Sequence, residues 1–188
     1  MTAMPRPERY SSVAIAFHWS IAALVIANLA IGLLHETLLK GVDWAIPLHK
    51  SFGVTVLVLT LGRIGWRLTH RPPPLPASTR RWEKGSAHGV HWMLYALMLA
   101  MPLTGWMLSS GSRRYPISWF GLFDVPFLPV SRAAGGVAHD AHGLLGWLML
   151  ALVGLHVAAA LRHHLVLRDR ILARMAPVLD RVAAPDRV

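Results

Sequence analysis

The residues able to do chemistry in this chain are its histidines, and the spacing of His142 and His156 is the most informative. Fourteen residues at about 100° each bring a helical side chain back to within roughly 40° of its starting direction, about 21 Å further along the axis. One helix face therefore presents two imidazoles at two depths. His18 and His49 lie in two other apolar stretches at matching depths, which sorts the four into the pairs His18/His156 and His49/His142. Two stacked imidazole pairs in an apolar bundle suit two b-type haems, each iron taking a neutral imidazole from either side. Small residues should flank such ligands so that the macrocycle can lie against backbone. Gly53 and Gly146 each follow a histidine by four positions, and Gly154 precedes His156 by two.

Other uses of these rings fit less well. A single intramembrane histidine can serve as a hydrogen-bonding link between helices. A zinc or copper ion needs its ligands to converge on one point, whereas these four divide between two depths. A proton relay prefers intramembrane carboxylates, and the apolar stretches lack a well-buried Asp or Glu. His88 and His91 share a face and are read as interfacial and solvated, with a haem edge, a quinone head group or a lipid phosphate as alternatives. His139, one turn before His142, is a possible substitute ligand, and His35, His70, His163 and His164 fall near helix ends and are expected to be solvated. Arg63 and Arg67 lie four apart on one face; Arg63, the deeper, is a candidate partner for haem propionates, or the two simply snorkel.

The elements that must position these side chains are apolar runs. Of 188 residues, 54% are hydrophobic and 15% charged, against about 25% charged in a soluble domain. Four runs, Val13–Leu34, Leu48–Leu68, His88–Ser109 and Ala141–Leu161, reach the roughly 20 residues that span a hydrocarbon core. The first exceeds a secretory h-region and lacks a small-x-small cleavage site, so it reads as a retained helix. The fold expected is an all-α integral membrane protein, a four-helix transmembrane up-down bundle in one domain, residues 1–188. The absence of cysteine excludes thiolate metal sites, iron–sulfur clusters, covalent haem and thiol catalysis.

The net charge of +10 reads as membrane orientation and not as nucleic-acid binding, because Lys and Arg cluster beside the apolar runs. The N-terminal segment (Arg6, Arg9), the second connection (Arg67, Arg71, Arg80, Arg81, Lys84) and the tail (Arg162, Arg168, Arg170, Arg174, Arg181, Arg187) hold 13 of the 19; Lys40, Lys50, Arg113, Arg114 and Arg132 lie on the opposite side. Both termini are therefore expected in the cytoplasm. RPPPLP, from Arg71 to Pro76, reads as a stiff extended linker. The long third connection, with Pro116, Pro126 and Pro129, reads as an aromatic cap on the outer interface. Trp19, Trp66, Trp92, Trp106 and Trp147 read as interfacial anchors, and Pro102 is expected to kink the third helix.

On these stretches, RYSSVAIAFHW, PLHKSFG, AHGVHWMLYALMLAMPLTGWMLSSG, WFGLFDVP, HGLLGWLMLALVGLHVAAALRHH and RMAP, the sequence resembles the bacterial cytochrome b561 family, which also includes the b-type subunits of nickel–iron hydrogenases. The resemblance implies two haems b in four helices, exchange of electrons with ubiquinone, and His18, His49, His142 and His156 as axial ligands. The short four-helix form is similar to the superoxide oxidases of enteric bacteria, which implies a periplasmic superoxide donor and a place in the bacterial inner membrane. The outer basic residues Lys40, Lys50, Arg113, Arg114 and Arg132 could steer that anion. The leading expectation is thus a transmembrane di-haem electron carrier. A membrane anchor subunit for a periplasmic dehydrogenase or hydrogenase is the alternative, and a haem-free transporter or structural bundle the second. A solvent-facing docking patch in the third connection would favour the subunit; a basic funnel would favour the enzyme.

Overall fold

The computed structural model describes residues 9–70, 72–74, 80–114 and 116–179. Arg71, Leu75 and Pro76 of the Arg71–Pro76 linker, and the basic residues Arg6, Arg181 and Arg187, lie outside these described residues.

Among the described residues four helices are long and apolar enough to cross a membrane: α1 (Ser12–Leu34), α2 (Ala45–Thr69), α3 (Arg81–Ser112) and α4 (Arg132–Leu161). The apolar runs coincide with them, and the ends differ for identifiable reasons. Helix α3 begins at Arg81 instead of near His88, because the Glu83 carboxylate accepts from the Arg80 backbone N–H at 3.1 Å and stabilises an earlier first turn. Helix α4 begins at Arg132 instead of near Ala141, because the Ser131 hydroxyl accepts from Ala134 N–H at 3.1 Å. Both polar extensions project beyond the apolar stretch. Helix α3 runs on through Pro102 without a break.

The helices pack in sequence order, α1 on α2, α2 on α3 and α3 on α4, with a light α1–α4 contact closing the ring. Ile21, Val25, Val56, Leu97, Met149 and Leu152 form the buried core. Along the chain these core positions follow His18 in α1 and His49 in α2, and fall between His142 and His156 in α4. At the outer end a close backbone approach joins α3 to α4. A Cβ added at Gly111 would lie 2.6 Å from Gly135 Cα, so only glycine permits the two helices to touch there.

The third connection is not purely irregular. It contains a two-stranded antiparallel hairpin, β1 (Ile117–Trp119) and β2 (Phe123–Val125), with Ile117 opposite Val125 and Trp119 opposite Phe123. Phe120 (φ 49°) and Gly121 (φ 73°) form the tight turn, closed by Leu122 N–H donating to Trp119 carbonyl at 2.9 Å. Buried Ser51 of α2 anchors the hairpin, donating to the Ser118 carbonyl and accepting from Phe120 N–H. Trp119 Nε1 also donates to Thr55 Oγ1.

Several tryptophans act as latches besides lying near helix ends. Trp106 Nε1 donates to Pro126 carbonyl, Trp66 Nε1 to Ser11 Oγ, and Trp19 Nε1 to Met175 carbonyl at 2.8 Å. The last holds the tail back against α1 after a π-helical turn over Arg162–Leu167 and a left-handed Arg168.

Candidate functional site

Helix α2 supplies His49 and α4 supplies His142, and their ring centroids stand 6.0 Å apart at 79°. The protonation of each ring follows from its partner. His49 Nδ1 lies 3.1 Å from the Asn28 carbonyl of α1, which can only accept, so Nδ1 carries the proton. His142 Nδ1 lies 3.0 Å from Thr104 Oγ1 of α3. The Thr104 hydroxyl has one proton and lies 2.9 Å from each of the Ala100 and Met101 carbonyls. It donates to those carbonyls, and its oxygen accepts from His142 Nδ1–H. Both rings are thus left with the Nε2 lone pair available to a metal.

His49 and His142 border a cavity of about 500 Å³ whose wall also includes Gly53, Gly146, Asn28, Met101 and Pro102. The two glycines picked out by spacing therefore stand on this wall. Asn28 Oδ1 is buried there with no hydrogen-bond partner among the described residues. Two further glycines, not singled out from the sequence, shape the histidines more directly. A Cβ at Gly32 would lie 2.9 Å from His49 Cε1, and one at Gly105 would lie 3.3 Å from His142 Cε1. Gly154 behaves differently, since a Cβ there meets nothing within 4 Å.

At the other end, His18 of α1 and His156 of α4 face one another with centroids 6.2 Å apart at 68°. His91 of α3 joins them, its centroid 5.4 Å from that of His156. His91 is exposed, as is its neighbour His88, but the turn of α3 directs its ring at the inner pair, so it is more than the interfacial group expected, whereas His88 Nδ1 lies 2.6 Å from the Lys84 carbonyl. Arg63 Nε donates to Tyr95 hydroxyl at 2.8 Å. The Arg63 and Arg67 guanidinium groups both sit over the Tyr95 ring, 5.8 and 5.9 Å from its centroid. The inner end thus has a cationic flank supplied by α2 and seated on Tyr95 of α3.

A match to the prokaryotic cytochrome b561 family runs from residue 9 to residue 177. This chain belongs to that family. It is 36% identical over 174 residues to cytochrome b561 homolog 2 of Escherichia coli K12, covering 90% of this chain and 92% of the relative. It is 34% identical over 179 residues to a Yersinia pestis protein named probable superoxide oxidase CybB, covering 90% and 97%. A cytochrome b562 of Cereibacter sphaeroides is 32% identical over 179 residues, covering 92% and 98%. Membership of the cytochrome b561 family makes this an electron-transfer protein of the bacterial membrane with b-type haem as its implied cofactor, and sets aside the haem-free transporter or structural bundle.

The remaining expectations divide. Of the outer basic residues, Lys50 stands on the cavity wall beside His35 and His139; Lys40, Arg113, Arg114 and Arg132 do not. His139 therefore reaches the cavity without replacing His142 opposite His49. His35, expected to be solvated, is on that wall and bonds Glu36 at 3.1 Å. His70 is exposed, as expected, and stacks flat on Trp66 at 3.7 Å, whereas His163 is half-buried and pairs with Asp169; His164 is half-buried as well. His163 owes its partner to the turn of the chain after α4, which helix periodicity does not reveal.

Proposed function

We propose that this protein is a two-haem transmembrane electron carrier, with His49 and His142 as axial ligands of an outer haem and His18 and His156 as those of an inner one. The observation that carries the reading is the spacing of the rings. A first-row metal lies about 2 Å from an imidazole nitrogen, so an iron between two such nitrogens sets the ring centroids roughly 6 Å apart. The pairs stand at 6.0 and 6.2 Å. Bound haem supplies a reversible one-electron couple, tuned by its ligands and their surroundings.

The chain's own groups perform the rest. Asn28 and Thr104 hold the outer imidazoles in the Nδ1–H form. Gly53 and Gly146 leave room beside them, and the Ile21–Leu152 core keeps water from the interior between the pairs. Arg63 is placed to bind a propionate at the inner end, sharing its guanidinium with Tyr95. Lys50 offers an anion a positive charge at the outer cavity.

The donor proposed is periplasmic superoxide and the acceptor membrane ubiquinone, with both termini in the cytoplasm. The name of the Yersinia pestis relative, probable superoxide oxidase, supports superoxide. Two superoxide ions each lose one electron to become dioxygen, and one ubiquinone takes two electrons and two protons to become ubiquinol. The test is purified, haem-loaded protein supplied with a superoxide source and a soluble ubiquinone. Coupled loss of superoxide and appearance of ubiquinol is expected. Haem-loaded protein that stays oxidised under superoxide would dismiss this donor.

A further inference from the structure

The two imidazole pairs differ in their outer support. At the outer pair, both Nδ1 atoms have acceptors: the Asn28 carbonyl for His49 and the Thr104 hydroxyl for His142. Among the described residues, neither His18 nor His156 makes a side-chain hydrogen bond; each has ring contacts instead. The two outer acceptors also differ in kind. Asn28 contributes a main-chain carbonyl, fixed by the helix whatever its side chain. Thr104 contributes a side chain, and its orientation is imposed from within α3 by the Ala100 and Met101 carbonyls that take its proton. A single substitution can therefore remove this acceptor and leave the other in place.

We propose that Thr104 is a positioning residue for His142, holding the ring in its Nδ1–H form and lowering the reduction potential of the outer haem. This rests on the assignment of His142 as a ligand. An imidazole that donates from Nδ1 gains electron density at Nε2, and a more basic ligand stabilises ferric over ferrous iron. The hydroxyl also fixes ring rotation, because Gly105, the next residue along α3, lies against the same Nδ1–Cε1 edge of the ring and leaves a side chain little room: a Cβ there would be 3.3 Å from His142 Cε1 and 3.6 Å from Nδ1. Thr104 and Gly105 form a seat for His142, one by bonding and one by absence of bulk.

The test is a redox titration of the purified holoprotein with haem per chain measured on the same samples, for wild type, Thr104→Val and Thr104→Ser. Valine keeps the shape and removes the acceptor; serine keeps the acceptor and removes a methyl. The expected result is two haems per chain, an upward shift in Thr104→Val of the one midpoint that His142→Ala abolishes, an unmoved second midpoint, and wild-type midpoints in Thr104→Ser. Loss of the outer haem in Thr104→Val alone, restored in Thr104→Ser, also supports the seat. Unshifted midpoints in a two-haem Thr104→Val protein would overturn the inference and leave the proposed function standing, as would a serine variant that behaves like valine. A wild-type protein without two haems would instead overturn the reading beneath it.

Discussion

Gly32 of α1 packs so closely on His49 of α2 that a methyl group on the glycine would lie 2.9 Å from the ring's Cε1 atom. That distance is below contact for two carbons, so the ring would have to move. The Asn28 carbonyl, one turn earlier on the same helix, accepts from His49 Nδ1 and holds the ring against α1.

Gly32→Ala should therefore lower haem content from two per chain towards one while the protein still folds. Gly136→Ala is the matched control, because a Cβ there meets nothing within 4 Å. Haem per chain from pyridine haemochrome spectra checks this, and equal haem in both variants would sever the link between Gly32 and the outer site.

The α3–α4 crossing makes a different prediction. Gly111→Ala places a methyl 2.6 Å from Gly135 Cα, where only backbone can yield. Overpacking of this kind costs about 1–3 kcal/mol. The expected result is a lower melting temperature in detergent, together with weaker haem retention at the outer end, since the crossing sets how α3 presents Thr104 to His142. An unchanged melting curve would mean that the helices separate there without cost.

Steering of an anionic donor should depend on place as well as charge. Lys50 is on the cavity wall and Arg113 and Arg114 are not. Lys50→Gln should slow superoxide-driven haem reduction several-fold at low ionic strength and flatten its salt dependence, more than Arg113→Gln or Arg114→Gln. Stopped-flow reduction rates across a salt series would show the order, and a larger effect from the arginines would move the entry point away from the cavity.

Orientation is accessible because the chain has no cysteine of its own. Leu122 at the hairpin turn and Val178 in the tail are 73% and 72% exposed. A membrane-impermeant maleimide applied to cells with a permeabilised outer membrane should label Leu122→Cys and spare Val178→Cys, with both reacting after lysis. The reverse pattern would invert the topology.

Much of this was legible in the sequence because both the spans and the histidine pairs depend on one-dimensional quantities. Apolar run length reveals a membrane helix, and the fourteen-residue step from His142 to His156 sets both face and depth. What stayed hidden depends on how helices rotate against one another. Gly53 and Gly146 could be chosen by spacing along their own helices, but Gly32 and Gly105 touch histidines on neighbouring helices, and no single-helix pattern reveals that. The same holds for His91, whose partner is on α4. The β1–β2 hairpin escaped because WFGL has an aromatic at the first left-handed turn position, where Asn or Asp is the usual signal. The early starts of α3 and α4 rest on Glu83 and Ser131, polar caps outside any apolar window.

The central claim is the pairing itself, and double substitution tests it most directly. Haem per chain should be measured for His18→Ala with His156→Ala, and for His18→Ala with His142→Ala. Removing both members of one pair should leave one haem in place, because the other pair is intact. Removing one member from each pair should strip the protein towards none. Similar haem content in the two double variants, or a within-pair variant with no haem in otherwise folded protein, would contradict the assignment of His18 with His156 and His49 with His142.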